Sequence, residues 1–342
     1  MRERVTWLDV AKGVGMLLVI VGHTVGGNIR GEMTRGIIYS FHMPLFFILG
    51  CITMRFSSTQ EELLTRSLKQ IKKIIIPTMF AYLFNVILSC IVFNEDAVSI
   101  AFFRDVIFMI LFSSAGPLLY AGMQVPGCGV LWFMFVFVLG RIMMDILQLK
   151  IKDKWIQFIV VLLLCFSGMA LGEKSWACLS MDVTLGTLPL FWFGYLWKDK
   201  LNNKFSLKIL LISGLVFIVS LYFTFPNLEQ RTYMEVGIRN YGVFPISYFS
   251  AVAGVVVLSE ISMLISNNKI FTWPLQLIGK YSMYLFFIHF FDQYWEFVWR
   301  VEGRQFVTSI RRIIADLFVL ILVVGVKKVK DNCIIKHRKL LF

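Results

Sequence analysis

A lysine and a histidine lie eleven residues apart in one apolar stretch near the start of the chain. The stretch runs from Leu8 to His23, and its charged residues are Asp9 and Lys12. At roughly 100° per residue, eleven residues complete about three helical turns, so Lys12 and His23 share one face, about 16 Å apart. Asp9 lies near the same stripe. Ionisable groups in an apolar helix are costly, so three on one side predict a functional site.

A second histidine, His42, stands in the next apolar stretch, two residues before Pro44. Proline frees a backbone carbonyl and bends a helix, which offers an imidazole a partner inside an apolar run. If the two stretches form an antiparallel pair, His23 and His42 lie at similar depth. Because histidine titrates near neutrality, the pair predicts an acid–base centre. The alternative for either ring alone is a structural hydrogen bond between helices.

The composition indicates an integral membrane protein. Of the 342 residues, 58% are hydrophobic and only 16% are charged, and the mean hydropathy is +0.75. We predict an all-α fold, a polytopic bundle of about ten transmembrane helices. The bundle forms a single domain over 1–342, with a core of about 2–326 and a basic tail over 327–342.

Ten apolar segments account for the predicted spans. They are 8–26, 37–54, 74–93, 129–147, 155–171, 183–197, 207–225, 243–265, 275–295 and 313–326. The segment 102–120 is also apolar and is the candidate for an eleventh span. Gly116, Pro117 and a serine pair favour a re-entrant or surface loop there instead.

The net charge of +13 is unevenly distributed. Most lysines and arginines fall in the segments on one side of the ten predicted spans, which fits the positive-inside rule with both termini in the cytoplasm. The arginines between Arg300 and Arg312 run against that bias. We interpret the basic excess as a signal of orientation and of contact with anionic membrane lipids, and we expect no nucleic-acid partner. The six cysteines lack C-x-x-C spacing, so no metal is expected.

Two motifs carry a resemblance to a known family. One is Arg4-x-x-Trp7-Leu8-Asp9-x-x-Lys12-Gly13, followed by His23, and the other is Phe41-His42-Met43-Pro44-Leu45-Phe46-Phe47. Weaker matches follow at 72–77, 131–133, 188–194 and 278–284, with His289. With these motifs the chain resembles the membrane-bound acyltransferase-3 family, in particular its branch of fucose 4-O-acetylase-like sugar O-acetyltransferases. The resemblance extends over nearly the whole chain.

The resemblance implies an acyl-CoA donor reached from the cytoplasm and transfer of the acyl group to a hydroxyl of a cell-surface or lipid-linked glycan. For this branch we expect acetyl-CoA as the donor, in the inner membrane of a bacterial cell. Lys12 matches the family's lysine or arginine, and His23 matches its essential histidine. The chain departs from the family where Gly50-Cys51 replaces the usual Ser-Gly, a difference that bears on the acceptor pocket.

The residues themselves support the same interpretation. An acyl-CoA carries phosphates at one end and a thioester at the other, and its pantetheine arm is comparable in length to the Lys12–His23 separation. Lysine suits a phosphate as a point charge, so Lys12, Lys72 and Lys73 are expected to bind the donor. Histidine suits a general base, so His23 is expected to act on the hydroxyl, with His42 and Asp9 as catalytic partners.

A transporter or flippase of lipid-linked sugars is the rival interpretation, because it would also bury charge in a ten-helix bundle. No inverted repeat is visible in the sequence.

Four other polar residues and a third histidine lie in or near the predicted spans. Arg141 and Asp145 stand four residues apart and are predicted to pair. Glu260 and Asp316 have no evident partners, and His289 is interpreted as a core histidine rather than a catalytic one.

Overall fold

The computed structural model describes residues 5–93, 100–120, 122–174, 177–202, 204–225 and 232–340. Its α-helices are α1 (Thr6–Gly22), α2 (Ile29–Tyr39), α3 (His42–Ile52), α4 (Gln60–Gln70), α5 (Ile76–Phe93), α6 (Ile100–Phe112), α7 (Trp132–Lys150), α8 (Lys154–Lys174), α9 (Met181–Leu196), α10 (Leu207–Thr224), α11 (Ile246–Ile265), α12 (Lys269–Lys280), α13 (Ser282–Phe291), α14 (Glu296–Trp299) and α15 (Gln305–Leu340). Two short strands, β1 (Leu118–Tyr120) and β2 (Met123–Val125), form an antiparallel hairpin. The predicted all-α fold class is confirmed.

Six helical segments of the described chain are long and apolar enough to cross a membrane. They are Ile29–Ile52, Gln60–Val92, Gly129–Lys150, Lys154–Glu173, Leu207–Thr224 and Ile246–Ile265. The chain is therefore a polytopic helical membrane protein, as predicted. The other four predicted spans fall on helices that are short, interrupted or charged. These are α1 and α9, with 17 and 16 residues, the α12–α13 pair, which breaks at Tyr281, and α15, which contains Arg312 and Asp316.

Two segments differ from the sequence-based expectation. The first part of 102–120 is helical as far as Phe112, and the β1–β2 hairpin follows it, so the predicted loop is wrong for that part. The mean hydropathy of that run suits a helix, and Gly116 and Pro117 end it rather than prevent it. The basic segment predicted as a tail continues α15 as a helix as far as Leu340.

Phenylalanine side chains fill the centre of the bundle. Phe47 of α3 is fully buried, and its ring centroid lies 5.4 Å from that of Phe133 and 5.0 Å from that of Phe191. These three rings come from α3, α7 and α9. Buried aromatic rings at such distances combine a large apolar area with favourable ring geometry, and this packing fixes α3, α7 and α9 against one another.

The closest helix crossing near the candidate residues lies between α1 and α12. A Cβ atom on Gly279 would collide with the carbonyl oxygen of Asp9, and one on Gly13 would collide with the carbonyl oxygen of Leu275. Small residues on both helices let the two backbones touch, as in packed transmembrane helices. The crossing therefore fixes the half of α1 that carries Asp9 and Lys12.

A break in the helix at Ser40 and Phe41 separates α2 from α3. Pro44 lies in the first turn of α3, where backbone N–H groups have no partner in the helix, so proline is tolerated there. The single predicted span over 37–54 is thus two helices joined at the break. His42 stands at the start of the second helix.

The predicted Arg141–Asp145 pair is wrong. The carboxylate of Asp145 instead accepts hydrogen bonds from the backbone N–H and the hydroxyl of Ser57, at 2.7 and 2.8 Å. The Arg141 guanidinium lies over the Phe137 ring, 5.3 Å from its centroid. Spacing along one helix favours such a pair only weakly, and a loop residue with two donors outcompetes it.

Glu260, which had no evident partner in the sequence, forms an ion pair with Lys200. Its Oε1 lies 2.7 Å from the Lys200 Nζ, and both side chains are buried. The backbone N–H of Ser206 also donates to its Oε2, at 2.8 Å. This carboxylate therefore joins the loop before α10 to α11, and its buried charge is balanced.

Candidate functional site

His23 caps the C-terminal end of α1. Its side chain is exposed although the preceding residue, Gly22, is buried. The following turn uses Gly27 at a φ of 75°, a left-handed conformation that favours glycine. The Asn28 side chain then caps α2 by accepting from the Gly31 N–H, at 2.8 Å. Local sequence thus ends one helix at His23 and starts the next within a few residues.

Tyr39 contacts both predicted histidines. Its hydroxyl oxygen lies 3.3 Å from the His23 Nδ1, and its ring centroid lies 4.6 Å from that of His42. His42 is buried, and its Nδ1 lies 3.0 Å from the Ile38 carbonyl oxygen at the α2–α3 break. A proton on Nδ1 would be donated to that carbonyl. The break therefore places His42 behind Tyr39, and Tyr39 beside His23.

A third histidine lies directly beside His23. The ring centroids of His23 and His289 are 5.3 Å apart. The His289 Nδ1 lies 3.0 Å from the Asp292 Oδ2 and 3.7 Å from the Asp316 Oδ2. His289 comes from α13, Asp292 from the turn after it and Asp316 from α15. Residues from α13, the turn after it and α15, all distant in sequence from α1, thus meet at its end.

Arg312 completes this cluster from α15. Its Nε and Nη2 donate to the two carboxylate oxygens of Asp292, at 2.7 and 2.8 Å. Its Nη1 donates to the His23 carbonyl oxygen at 3.3 Å and to the Thr24 hydroxyl at 3.4 Å. Its guanidinium also lies over the Trp299 ring, 4.4 Å from the centroid. A paired and hydrogen-bonded arginine can be buried at this place without an unbalanced charge.

A second ion pair borders the site on the side of Tyr39. The Arg35 guanidinium lies 4.8 Å from the Tyr39 ring centroid, and its Nη2 is 3.4 Å from the Glu235 Oε1. The Tyr233 ring meets Tyr39 edge-on, with centroids 5.9 Å apart. This side of His23 therefore presents aromatic faces and paired charges, which can contact a polar ligand with an apolar face.

Asp9 and Lys12 lie at the opposite half of α1. From the helical rise, Lys12 is about 16 Å and Asp9 about 21 Å from His23 along the axis. Lys12 is half-buried and Asp9 is buried, at the crossing with α12. Lys12 and His23 are therefore on one helix as predicted, and Asp9 is not among the residues around the imidazoles. A catalytic role for Asp9 stays a prediction.

Lys72 and Lys73 occupy a π-helical turn, Ile71–Ile75, between α4 and α5. A shallow cleft of about 540 Å³ lies along this helix, lined by Thr65, Leu68, Lys69, Lys72 and Lys73. The helices against which α1 packs most are α12, α11 and α3. The lysine cleft and Lys12 are thus on separate helices, and a shared donor site would have to extend across both.

The sequence matches a known protein family. The family model described as an acyltransferase domain, that of acyltransferase 3, matches residues 5–326. The chain belongs to the acyltransferase 3 family. Comparison with curated proteins and with solved structures gives no significant match. Family membership implies acyl transfer as the activity of this membrane-bound acyltransferase.

Sequence reasoning missed three residues around the acyltransferase's exposed histidine. The sequence predicts a core role for His289 and a role in topology for Arg312, and it does not single out Asp292. The spacing of His289 and Asp292 could have revealed that pair, because residues three or four apart on a helix are neighbours. The spacing of Arg312 and Asp316 would have misled, since Arg312 pairs with Asp292 instead.

His289, Asp292 and Asp316 could together hold a metal ion, since one ligand atom from each lies within 4.8 Å of the others. However, Arg312 already donates to both oxygens of Asp292. A metal ion would have to displace the Arg312 guanidinium or share the Asp292 carboxylate with it. These carboxylates are therefore better suited to an arginine side chain than to a metal ion.

Proposed function

We propose that this acyltransferase transfers an acetyl group from acetyl-CoA to a hydroxyl of a cell-surface or lipid-linked glycan. It would act as a sugar O-acetyltransferase of a bacterial inner membrane, with both termini in the cytoplasm. The observation that carries the proposal is the exposed His23 at one end of α1, with Lys12 on the same helix about 16 Å away. That separation suits a donor whose phosphates and thioester lie far apart.

His23 is proposed as the general base. If its Nδ1 carries the proton and donates to the Tyr39 oxygen, at 3.3 Å, its Nε2 is free to accept a proton. The glycan hydroxyl gives its proton to Nε2 as its oxygen attacks the thioester carbonyl. The carbon–sulfur bond then breaks, and the thiolate of CoA takes the proton from the His23 Nε2, which restores the base. An O-acetyl group and free CoA are the products.

His42 supports this step through Tyr39. Its ring packs on Tyr39 and its Nδ1 is held by the Ile38 carbonyl. We therefore propose that His42 keeps the Tyr39 hydroxyl in reach of His23, and that it affects proton transfer without contacting the glycan. A buried histidine with a fixed hydrogen-bond partner suits such a role.

The donor end is proposed to lie at the other half of α1. Lys12 would neutralise charge on the CoA arm, with Asp9 beside it in the same helix. Lys72 and Lys73 would attract the CoA phosphates from the cytoplasm, because their cleft is open and carries only positive charge among its ionisable residues. Both assignments follow from residue type and position.

Acetyl transfer can be tested with purified protein, labelled acetyl-CoA and glycan from the host cell. We expect glycan that gains the mass of one acetyl group with the parent protein and no gain with His23→Ala. His337→Ala is the matched control, since it removes a histidine near the end of α15. Movement of a lipid-linked sugar across the membrane of vesicles that contain the protein, without acetylation, would favour a transporter instead.

A further inference from the structure

One carboxylate connects two separate contacts to His23. Asp292 holds Arg312 through both of its oxygens, and Arg312 donates to the carbonyl oxygen of His23. The same carboxylate lies 3.0 Å from the His289 Nδ1, and the His289 ring packs beside the His23 ring. Asp292 thus acts on both the backbone and the imidazole of His23 through other residues.

The surroundings of Asp292 fix its position tightly. Its side chain is 2% exposed, and the Trp299 indole N–H donates to its backbone oxygen at 3.1 Å. The His289 Nδ1–H donates to its Oδ2, which fixes one tautomer and one orientation of that ring. A carboxylate that orients an imidazole in this way cannot be replaced by an amide without loss, because an amide offers one acceptor oxygen instead of two.

We propose that Asp292 is a positioning residue of the acyl-transfer centre, which holds His289 against the His23 imidazole and Arg312 against the His23 backbone. The inference rests on the proposed function, since it assumes that His23 performs the chemical step. Asp292 is buried and acts through His289 and Arg312. Its loss should therefore lower the rate of the chemical step more than the binding of either substrate.

A purely structural ion pair between the α13 turn and α15 is the competing explanation. Asp316 argues for more than a structural pair. It is fully buried, its oxygens accept no hydrogen bond from the described residues, and its Oδ2 lies 3.7 Å from the His289 Nδ1. Asp316 therefore places a second titratable carboxyl group beside His289, one that an ion pair between the α13 turn and α15 does not need.

Every charged or titratable group around the His23 and His289 rings would then influence how the reaction rate varies with pH. The groups that face them are Arg35, Tyr39 and His42 from α2 and α3, Asp292 from the turn after α13, and Arg312 and Asp316 from α15. Changing one carboxylate to an amide removes one charge from this set and keeps the shape of the side chain. The pH profile of kcat therefore separates positioning from folding.

The test compares Asp292→Asn with Asp145→Asn in the full-length protein. Both carboxylates are buried and both accept two or more hydrogen bonds. For Asp292→Asn we expect kcat to fall about 10–100-fold, as for groups that orient a reacting side chain, with little change in KM for acetyl-CoA. The pH profile of kcat should shift. Asp145→Asn should lower the melting temperature and leave kcat and its pH profile unchanged.

Second variants keep the inference testable if Asp292→Asn does not fold. Asp316→Asn should shift the pH profile, and His289→Gln should lower kcat with KM retained. A normal kcat and an unchanged pH profile in these variants, with only a lower melting temperature, would overturn the inference. So would stoichiometric zinc or another metal in the parent protein that is lost in Asp316→Asn. Absence of any transfer by the parent protein would contradict the proposed function itself.

Discussion

The two ends of α1 are held in different ways. At the end with His23, side chains from α2, α13 and α15 converge, and Arg312 and Tyr39 both bond to that one residue. At the end with Lys12, the α1 and α12 backbones touch across Gly13 and Gly279. Directed polar contacts from several elements surround His23, and close contact of two backbones marks the half of α1 with Lys12.

This difference corresponds to different demands. A base must be placed to within a fraction of an ångström and in one tautomer, which needs hydrogen bonds from several directions. A lysine that neutralises phosphate acts over a longer range and tolerates some freedom. If the two ends have these roles, substitutions at the first should lower turnover, and substitutions at the second should lower donor affinity or stability.

The largest effect is expected from His23→Ala. Loss of the base should lower kcat by about 10²–10⁴-fold, because general base catalysis contributes that much. The His23 ring is exposed at the end of α1, where it contacts Tyr39 and His289, so its loss should leave insertion intact and change the melting temperature little. Binding of acyl-CoA, followed by titration calorimetry in detergent, should be nearly normal. Substantial acetylation by this variant would remove His23 from the mechanism.

The second largest effect is expected from His42→Ala. We expect kcat to fall about 10²-fold if His42 takes part in proton transfer through Tyr39. Tyr39→Phe is the matched comparison, since it keeps the ring on His42 and removes only the hydroxyl beside His23. Similar losses in both variants would support one path through that hydroxyl. A mild loss in His42→Ala alone would reduce its role to packing. Initial rates with labelled acetyl-CoA give both values.

Lys12→Met should weaken acyl-CoA binding by about 10–150-fold, the cost of one charge-assisted contact of about 1.5–3 kcal/mol. Lys12→Arg should keep much of the affinity, because it preserves the charge at the same depth. The His23→Ala titration is the control, since that variant lacks the base and keeps the lysine. Normal binding by Lys12→Met would contradict the donor assignment and favour the transporter.

The relation between Lys12 and His23 is predictable from the sequence because it is local. Lys12 and His23 share a helix, and helical periodicity alone relates their positions. The cluster around His23 was not predictable in the same way, because His289 and Arg312 reach it only through the packing of α13 and α15. Arg312 even opposed the positive-inside pattern, since its charge is used in a buried pair with Asp292 rather than at a membrane surface.

Gly279→Ala tests the close crossing of α1 and α12. The added methyl group would meet the Asp9 carbonyl oxygen, and overpacking of this kind costs about 1–3 kcal/mol. We expect a lower melting temperature in detergent and weaker binding of acyl-CoA through displacement of Lys12. Gly214→Ala in α10 is the matched control, because no atom lies within 4 Å of the added Cβ there. Equal melting temperatures for the two variants would argue against a tight crossing.

The smallest effect is expected at the lysine cleft. Lys72→Ala and Lys73→Ala each remove an exposed charge, and such contacts contribute about 0.2–1 kcal/mol, so the KM for acetyl-CoA should rise only a few-fold. The rise should vanish near 1 M salt, where the screening length falls to about 3 Å. Lys154→Ala, an exposed lysine at the start of α8 outside the cleft, is the control. We expect no change in kcat for Lys72→Ala or Lys73→Ala. An effect on KM alone would distinguish these lysines from His23, whose loss should lower kcat. A rise in KM that persists at high salt would instead place Lys72 or Lys73 in direct contact with the donor.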